Sequence, residues 1–207
     1  MTPTRPILGL IGAIGAGKST AAACLAELGG EVVDCDALGH EAIELPAVKS
    51  KLVARWGEGI LKDGGGINRR TVGRIVFGDP AERAALEAEM FPAIADLVKA
   101  RLASLDASVR FAVLDAAVLL EAGWKAMCDR IVYIDAPKDV RLARLAARSG
   151  WTADELDRRE AAQWSSERKM QSSDAVISNT GTRDALKQTL ADLLMEWAWL
   201  DGPEERR

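Results

Sequence analysis

Gly12-Ala13-Ile14-Gly15-Ala16-Gly17-Lys18-Ser19 carries the densest chemistry in the chain. It fits the pattern G-x-x-x-x-G-K-[ST]. In that pattern backbone N–H groups cradle a polyphosphate, the lysine brings a mobile charge to the β- and γ-phosphates, and the hydroxyl serves Mg²⁺. Small residues matter here as much as the charged one, because amides converge on an anion only where no bulky side chain intervenes. The flanks suit that use: Ile7-Leu8-Gly9-Leu10-Ile11 reads as a short buried strand, and Ser19 to Leu28 as an Ala- and Leu-rich helix. Strand, glycine-rich turn and helix start together predict that a nucleoside triphosphate binds here.

Carboxylates and arginines come next. Glu31-Val32-Val33-Asp34 follows a Gly29-Gly30 helix stop and opens a βαβ unit, which predicts parallel strands with a right-handed crossover. Asp34 and Asp36 then fall at the carboxyl end of this strand, where open α/β sheets bind their ligands. Either can cap the following helix. Either can also stand beside the phosphate acceptor as a base or orienting group, and spacing alone leaves both readings open. Arg110-Phe111-Ala112-Val113-Leu114-Asp115 has the form of a Walker B strand, whose Asp115 would hold Mg²⁺ opposite Ser19. A fourth strand, Arg130 to Asp135, ends in Ala136-Pro137 and leads into a basic helix from Lys138 to Gly150. Arg141, Arg144 and Arg148 share one face of it, either as a solvated stripe or as a lid that carries charge to the phosphates. A second helix, opened by the capping box Thr152-Ala153-Asp154-Glu155 and reaching Gln163, favours the lid.

These groups must be positioned by the remaining elements. Between residues 37 and 105 the pattern is helical throughout: Ala37 to Glu44, Val48 to Trp56, Arg70 to Phe77, Ala81 to Glu89 and Ala93 to Ser104. Pro46, Gly57, Gly64-Gly65-Gly66 and Pro92 separate them, and Asp79-Pro80 reads as an N-cap with proline in the first turn. Arg55, Arg69, Arg70 and Arg74 can meet acceptor phosphates or simply face solvent, and the sequence does not choose among them. Ser173 to Asn179 is a fifth strand; Thr182 caps a last helix to about Trp199, and Asp201 to Arg207 should fray. Trp197 and Trp199 cannot share a helix face, so at least one packs on the core or a neighbouring chain.

Composition sets the outer limits. The chain has 207 residues, 48% hydrophobic and 28% charged, which suits a globular protein with a sizeable core. A net charge of −4 with no basic tail argues against nucleic acid as a partner. No apolar run approaches the roughly 20 residues of a membrane span, and Met1 to Pro6 lack a signal-peptide core. Cys24, Cys35 and Cys128 are too scattered for a disulfide framework or a zinc site, so reduced thiols and a cytoplasmic location are expected.

Taken in order, these motifs resemble the dephospho-coenzyme A kinase family. The resemblance runs from Ile7 to about Leu194. It is carried by Gly9 to Thr20, by Val33-Asp34-Cys35-Asp36-Ala37-Leu38-Gly39-His40, by Gly66-Ile67-Asn68-Arg69 with Ile75-Val76-Phe77, by Leu119-Leu120-Glu121-Ala122-Gly123, and by Gln163 followed by Asp174 to Gly181. It implies an α/β fold: a P-loop kinase core with a five-stranded parallel sheet flanked by helices, a helical acceptor-binding insertion and a helical lid. The core would take residues 1–36, 106–137 and 172–200, the insertion 37–105 and the lid 138–171. It also implies phosphorylation of the ribose 3′-hydroxyl of dephospho-coenzyme A by ATP with Mg²⁺, in a monomer or weak homo-oligomer. ATP would lie on Ala13, Ile14, Gly15, Ala16, Gly17, Lys18, Ser19 and Thr20, with Arg148, Asn179 and Gly181, and Mg²⁺ on Ser19 and Asp115. Asp36, Lys18 and Arg144 would be catalytic. The acceptor would meet Asp36, His40, Arg69, Leu120 and Glu121.

Two departures stand out. Many members have His-Pro where this chain has Phe91-Pro92, and Pro-Leu-Leu where it has Ala117-Val118-Leu119. Both concern the acceptor side rather than phosphate transfer. The rival readings are another small-molecule kinase of the nucleoside monophosphate or shikimate type, and a nucleotide-dependent binding protein without catalysis. Intact Lys18, Ser19, Asp36 and Asp115 speak against the second.

Overall fold

The computed structural model describes residues 5–200. The described residues form two compact units, one running to Val33 and resuming at Leu105, the other spanning Asp34–Ser104.

The first unit is built on a five-stranded sheet. Its strands are β1 (Ile7–Gly12), β2 (Gly30–Asp34), β3 (Phe111–Asp115), β4 (Arg130–Asp135) and β5 (Ala175–Ser178). They lie in the order β2-β3-β1-β4-β5, and every registered pair, β1 with β3, β1 with β4 and β4 with β5, is parallel. The apolar runs of the three central strands are buried over most of their length, with Leu8, Leu10, Val113, Leu114, Val132 and Tyr133 fully excluded from solvent, while the edge strands β2 and β5 are only partly covered. Strands covered on both faces need such continuous apolar stretches rather than alternation. The chain leaves β1 toward one edge and returns to the other side of it through β4, a reversal that opens a crevice at the strands' carboxyl ends.

Helices flank the sheet. α1 (Lys18–Glu27) buries Ala21, Ala22, Cys24 and Leu25. α9 (Arg183–Glu196) packs against it, and Glu27 receives both Arg183 and Lys187 from that helix. α6 (Lys138–Ser149), α7 (Ala153–Glu160, capped by Thr152) and α8 (Ser166–Gln171, capped by Ser165) follow β4. α8 is not foreseen in the sequence, since six residues are too few for a periodic signal. The last helix ends at Glu196, not at Trp199. Ala198 takes a left-handed φ of 57°, Ala198 N–H donates to Met195 O at 3.0 Å and Trp199 N–H to Leu194 O at 2.9 Å. This is a Schellman ending with alanine in the position that favours glycine. It turns Trp199 back, so its ring lies 5.5 Å from that of Trp197 and 6.2 Å from the buried Phe111. The expected core packing of one tryptophan holds, while the two rings meet because the chain has already left the helix. Asp201 to Arg207, expected to fray, lie outside the described residues.

The second unit is helical: α2 (Cys35–Ala42), α3 (Pro46–Trp56), α4 (Arg69–Phe77) and α5 (Pro80–Ala103). Its own core gathers Ile43, Val48, Leu52, Ile60, Ile67 and Val72. Asp79 caps α5 by accepting from Ala81 N–H at 2.8 Å and Glu82 N–H at 3.2 Å, ahead of Pro80, as the sequence suggests. Pro92 does not divide this helix, contrary to the expected break between Glu89 and Ala93. An interior proline forfeits one hydrogen bond and crowds the preceding turn, at about 3 kcal/mol. Leu86, Met90 and Ala93 pack on the core on either side of it, and Ile94 and Val98 are buried beyond, so tertiary burial outweighs that cost.

Candidate active site

The phosphate loop joins β1 to α1. Gly15 and Gly17 have φ of 82° and 95°, a left-handed region that side chains resist. Gly17 has a second constraint: a Cβ there would stand 2.2 Å from Asn179 Nδ2. Ala13 N–H donates to Ile134 O at 3.1 Å and Ala16 N–H to Ala13 O at 3.0 Å. The amides of Ile14, Gly15, Gly17, Lys18 and Ser19 donate to no described protein acceptor, and no side chain caps α1. Amides at a helix start cost free energy if left dry, and an anion satisfies them. Lys18 Nζ forms an ion pair with Asp115 at the end of β3, both largely buried, while the Ser19 hydroxyl is exposed in the first turn of α1.

Carbonyls of this loop are held from behind by arginines and an asparagine. Arg141 is 7% exposed. Its Nε donates to Ala136 O at 2.9 Å, its Nη1 donates to Ile14 O at 3.0 Å, and it pairs with Glu160 of α7. Arg144 donates to Ala16 O at 3.2 Å and to Asn179 O at 2.9 Å. Asn179, itself buried, donates from Nδ2 to the same Ala16 O at 2.7 Å. The sequence places Arg141 and Arg144 on one helix face but does not separate them from Arg148. Arg148 is exposed, whereas the other two are bound to the loop backbone. The role of Arg141 is missed by sequence reasoning. Its one signal is its place a turn before Arg144.

Beyond Asp115, Leu120 is buried in the core, 6% exposed. Glu121 faces inward: its Oε1 accepts from Trp164 N–H at 2.9 Å and lies 3.0 Å from Lys169 Nζ, while its Oε2 is buried with no hydrogen-bond partner. Lys169, 2% exposed, also donates to Ala117 O and to Gln163 Oε1, each at 2.8 Å. This buried cluster, unseen from the sequence, joins the loop after β3 to α8 and to the turn before it. A cavity of about 540 Å³ lies beside it, between Gly12, Ala13 and Ile14 on one side and Gln163 and Trp164 on the other. Among the described residues no group of three or more His, Cys, Asp and Glu could hold a metal ion. Ser19 and Asp115 nevertheless suit Mg²⁺, which takes few protein ligands and completes its shell with phosphate and water.

In the second unit, Asp34 Oδ1 accepts from Ala37 N–H at 2.9 Å and caps α2. Asp36 is exposed in the first turn, with His40 four residues on along the same face, also exposed. Arg69 opens α4, exposed and without a partner among the described residues; Asn68 caps that helix by accepting from Thr71 N–H at 3.3 Å.

Comparison with known proteins agrees with this geometry. A dephospho-CoA kinase from Geobacter sulfurreducens is 41% identical over 197 residues, covering 93% of this chain and 97% of that protein. The crystal structure of TT1252 from Thermus thermophilus superposes with a TM-score of 0.81 at 35% identity, covering 96% of this chain and 99% of that one. A shikimate kinase from Acinetobacter baumannii shares the fold alone, with a TM-score of 0.53 at 19% identity over 93% and 94% of the two chains. The sequence model of the dephospho-CoA kinase family matches residues 6–184, and the chain belongs to that family.

Proposed function

We propose that the chain transfers the γ-phosphoryl group of ATP to the ribose 3′-hydroxyl of dephospho-coenzyme A, releasing coenzyme A and ADP. The observation that carries this is the loop itself. Unpartnered amides at the start of α1 lie beside the one lysine and the one carboxylate, Lys18 and Asp115, that a triphosphate with Mg²⁺ requires. The loop amides and the N-terminus of α1 hold the polyphosphate, and Lys18 stabilises charge at the β- and γ-phosphates. Ser19 and Asp115 would hold Mg²⁺, which when bound neutralises charge on the transferring group.

Asp36 takes the proton of the 3′-hydroxyl as its oxygen bonds to the γ-phosphorus and the bond to the β–γ bridging oxygen breaks. His40 and Arg69 serve the acceptor. Arg144 positions the loop through Ala16 O, and Arg148, free on the surface of α6, is the arginine able to reach phosphate. Residues 138–171 act as the lid that excludes water as a competing acceptor. The reaction takes place in the cytoplasm; among the described residues no helix is long and apolar enough to cross a membrane.

A coupled assay for ADP with dephospho-coenzyme A as acceptor tests the reading. Turnover should appear with that acceptor, vanish with EDTA, and yield a product heavier by one phosphate. Turnover with shikimate or a nucleoside monophosphate, and none with dephospho-coenzyme A, would refute it.

A further inference from the structure

Four cations of the Asp34–Ser104 unit are held by carboxylates. Lys51 lies 2.7 Å from Glu89, Arg55 2.7 Å from Glu82, Arg83 3.8 Å from Glu87 and Lys99 3.1 Å from Asp96. α4 differs. Arg70 is exposed and bonds to no described residue, Arg74 reaches only Thr71 Oγ1 at 3.2 Å, and the first turn holds no acidic residue. The four basic residues that the sequence leaves equivalent are therefore not equivalent. Arg55 is neutralised by Glu82, while the α4 arginines keep their charge for something else.

A second feature lies on the same face. Phe77, the last residue of α4, is 64% exposed, more than Val176 or Met195, the other large apolar side chains left in water among the described residues. Arg70, Arg74 and Phe77 are spaced by four and three, so they form one ridge, opposite the Val72, Ile75 and Val76 that serve the core. Gly73 lies between them, and a Cβ there would meet nothing within 4 Å. An aromatic ring on the polar face of a helix contributes little to folding. A π-face with guanidinium groups beside it and a glycine notch between them fits a base carrying phosphates. Aromatic rings stack on bases, and arginine forms charge-assisted, often bidentate, bonds to phosphate. Arg70 and Phe77 are about 10 Å apart along the axis, seven residues of helical rise.

We propose that this face of α4 is the subsite for the nucleotide end of dephospho-coenzyme A, with adenine on Phe77 and the diphosphate on Arg70 and Arg74. The proposal rests on the reading that this chain phosphorylates that acceptor.

Steady-state kinetics with both substrates varied tests it. Phe77→Ala should raise KM for dephospho-coenzyme A roughly 5- to 100-fold, the range expected for one stacked base. KM for ATP and kcat should be nearly unchanged, as when binding common to ground and transition states is lost. Phe77→Trp should restore the acceptor KM, whereas Phe77→Leu, apolar but without a π-face, should not. The double variant R70Q/R74Q should raise the same KM and flatten its increase with added salt. An unchanged acceptor KM in Phe77→Ala, or a Phe77→Trp variant no better than Phe77→Leu, would overturn the subsite. A change in sedimentation of Phe77→Ala with unchanged kinetics would assign the face to a second copy of the chain, and overturn it too. Failure of the underlying reading is seen separately, as a wild-type protein that does not phosphorylate dephospho-coenzyme A at all.

Discussion

Asp34 and Asp36 are two positions apart and serve different ends. Asp34 spends its carboxylate on Ala37 N–H at the start of α2, whereas Asp36 stands exposed on the face it shares with His40. Asp36→Asn keeps shape and hydrogen bonding but removes the basicity. It should lower kcat by about 10² to 10⁴-fold, the usual contribution of a positioned base, with ATP binding and melting temperature close to wild type. Asp34→Ala should instead cost about 1 kcal/mol of stability, the typical worth of an N-cap, and leave most turnover intact. Kinetics and thermal melts on the pair decide the matter, and the reverse pattern would exchange the two roles. Which carboxylate caps was not legible in the sequence, because capping depends on backbone dihedrals that Asp-Cys-Asp does not specify. The phosphate loop was legible to the residue, since its glycines, lysine and serine each have a local reason to be there. Arg141 was not, because burial of an arginine depends on Ala136 O, Ile14 O and Glu160, which only the fold brings to it.

Elements were legible where burial is continuous and obscure where a local signal conflicts with packing. The three central strands show as apolar runs because both faces of the sheet are covered there. Pro92 misleads, since the turn on either side of it is held by core contacts that no local pattern reveals. The end of α9 misleads in the opposite way. Its Schellman bonds from Ala198 to Met195 and Trp199 to Leu194 are usually announced by a glycine, and this chain has alanine. A left-handed alanine costs roughly 1–2 kcal/mol, partly offset by the greater chain entropy that glycine loses on folding. Ala198→Gly should therefore stabilise by about 0.5–1 kcal/mol, a rise of about 1–4 °C in melting temperature for a chain this long. Differential scanning calorimetry reads it directly. A lowered melting temperature would mean that the Ala198 methyl contributes packing that outweighs its strain.

At the scale of the whole molecule, the chain keeps two separate apolar cores and divides its chemistry between them. The phosphate loop and Asp115 belong to the sheet unit, and Asp36, His40 and Arg69 to the helical one. Two of the chain's three cysteines lie within these cores, and the third is partly buried. Cys24 and Cys35 are buried, and burial with Asp129 nearby pushes the Cys128 thiol up to about 12. A thiol raised this way stays protonated near neutral pH, and thiolate is the form that attacks disulfides. This bears on a substrate that itself ends in a thiol and oxidises in air. Oxidised dephospho-coenzyme A should therefore meet only poor nucleophiles at Cys24, held from solvent by burial, and at Cys128, whose thiol is pushed up, so mixed disulfides with the folded protein should form slowly. Intact mass after incubation with the disulfide at pH 8 should be unchanged, and the same treatment in denaturant should add as many as three acceptor units, one for each cysteine. A native adduct would show that one of these thiols reaches solvent faster than its burial allows.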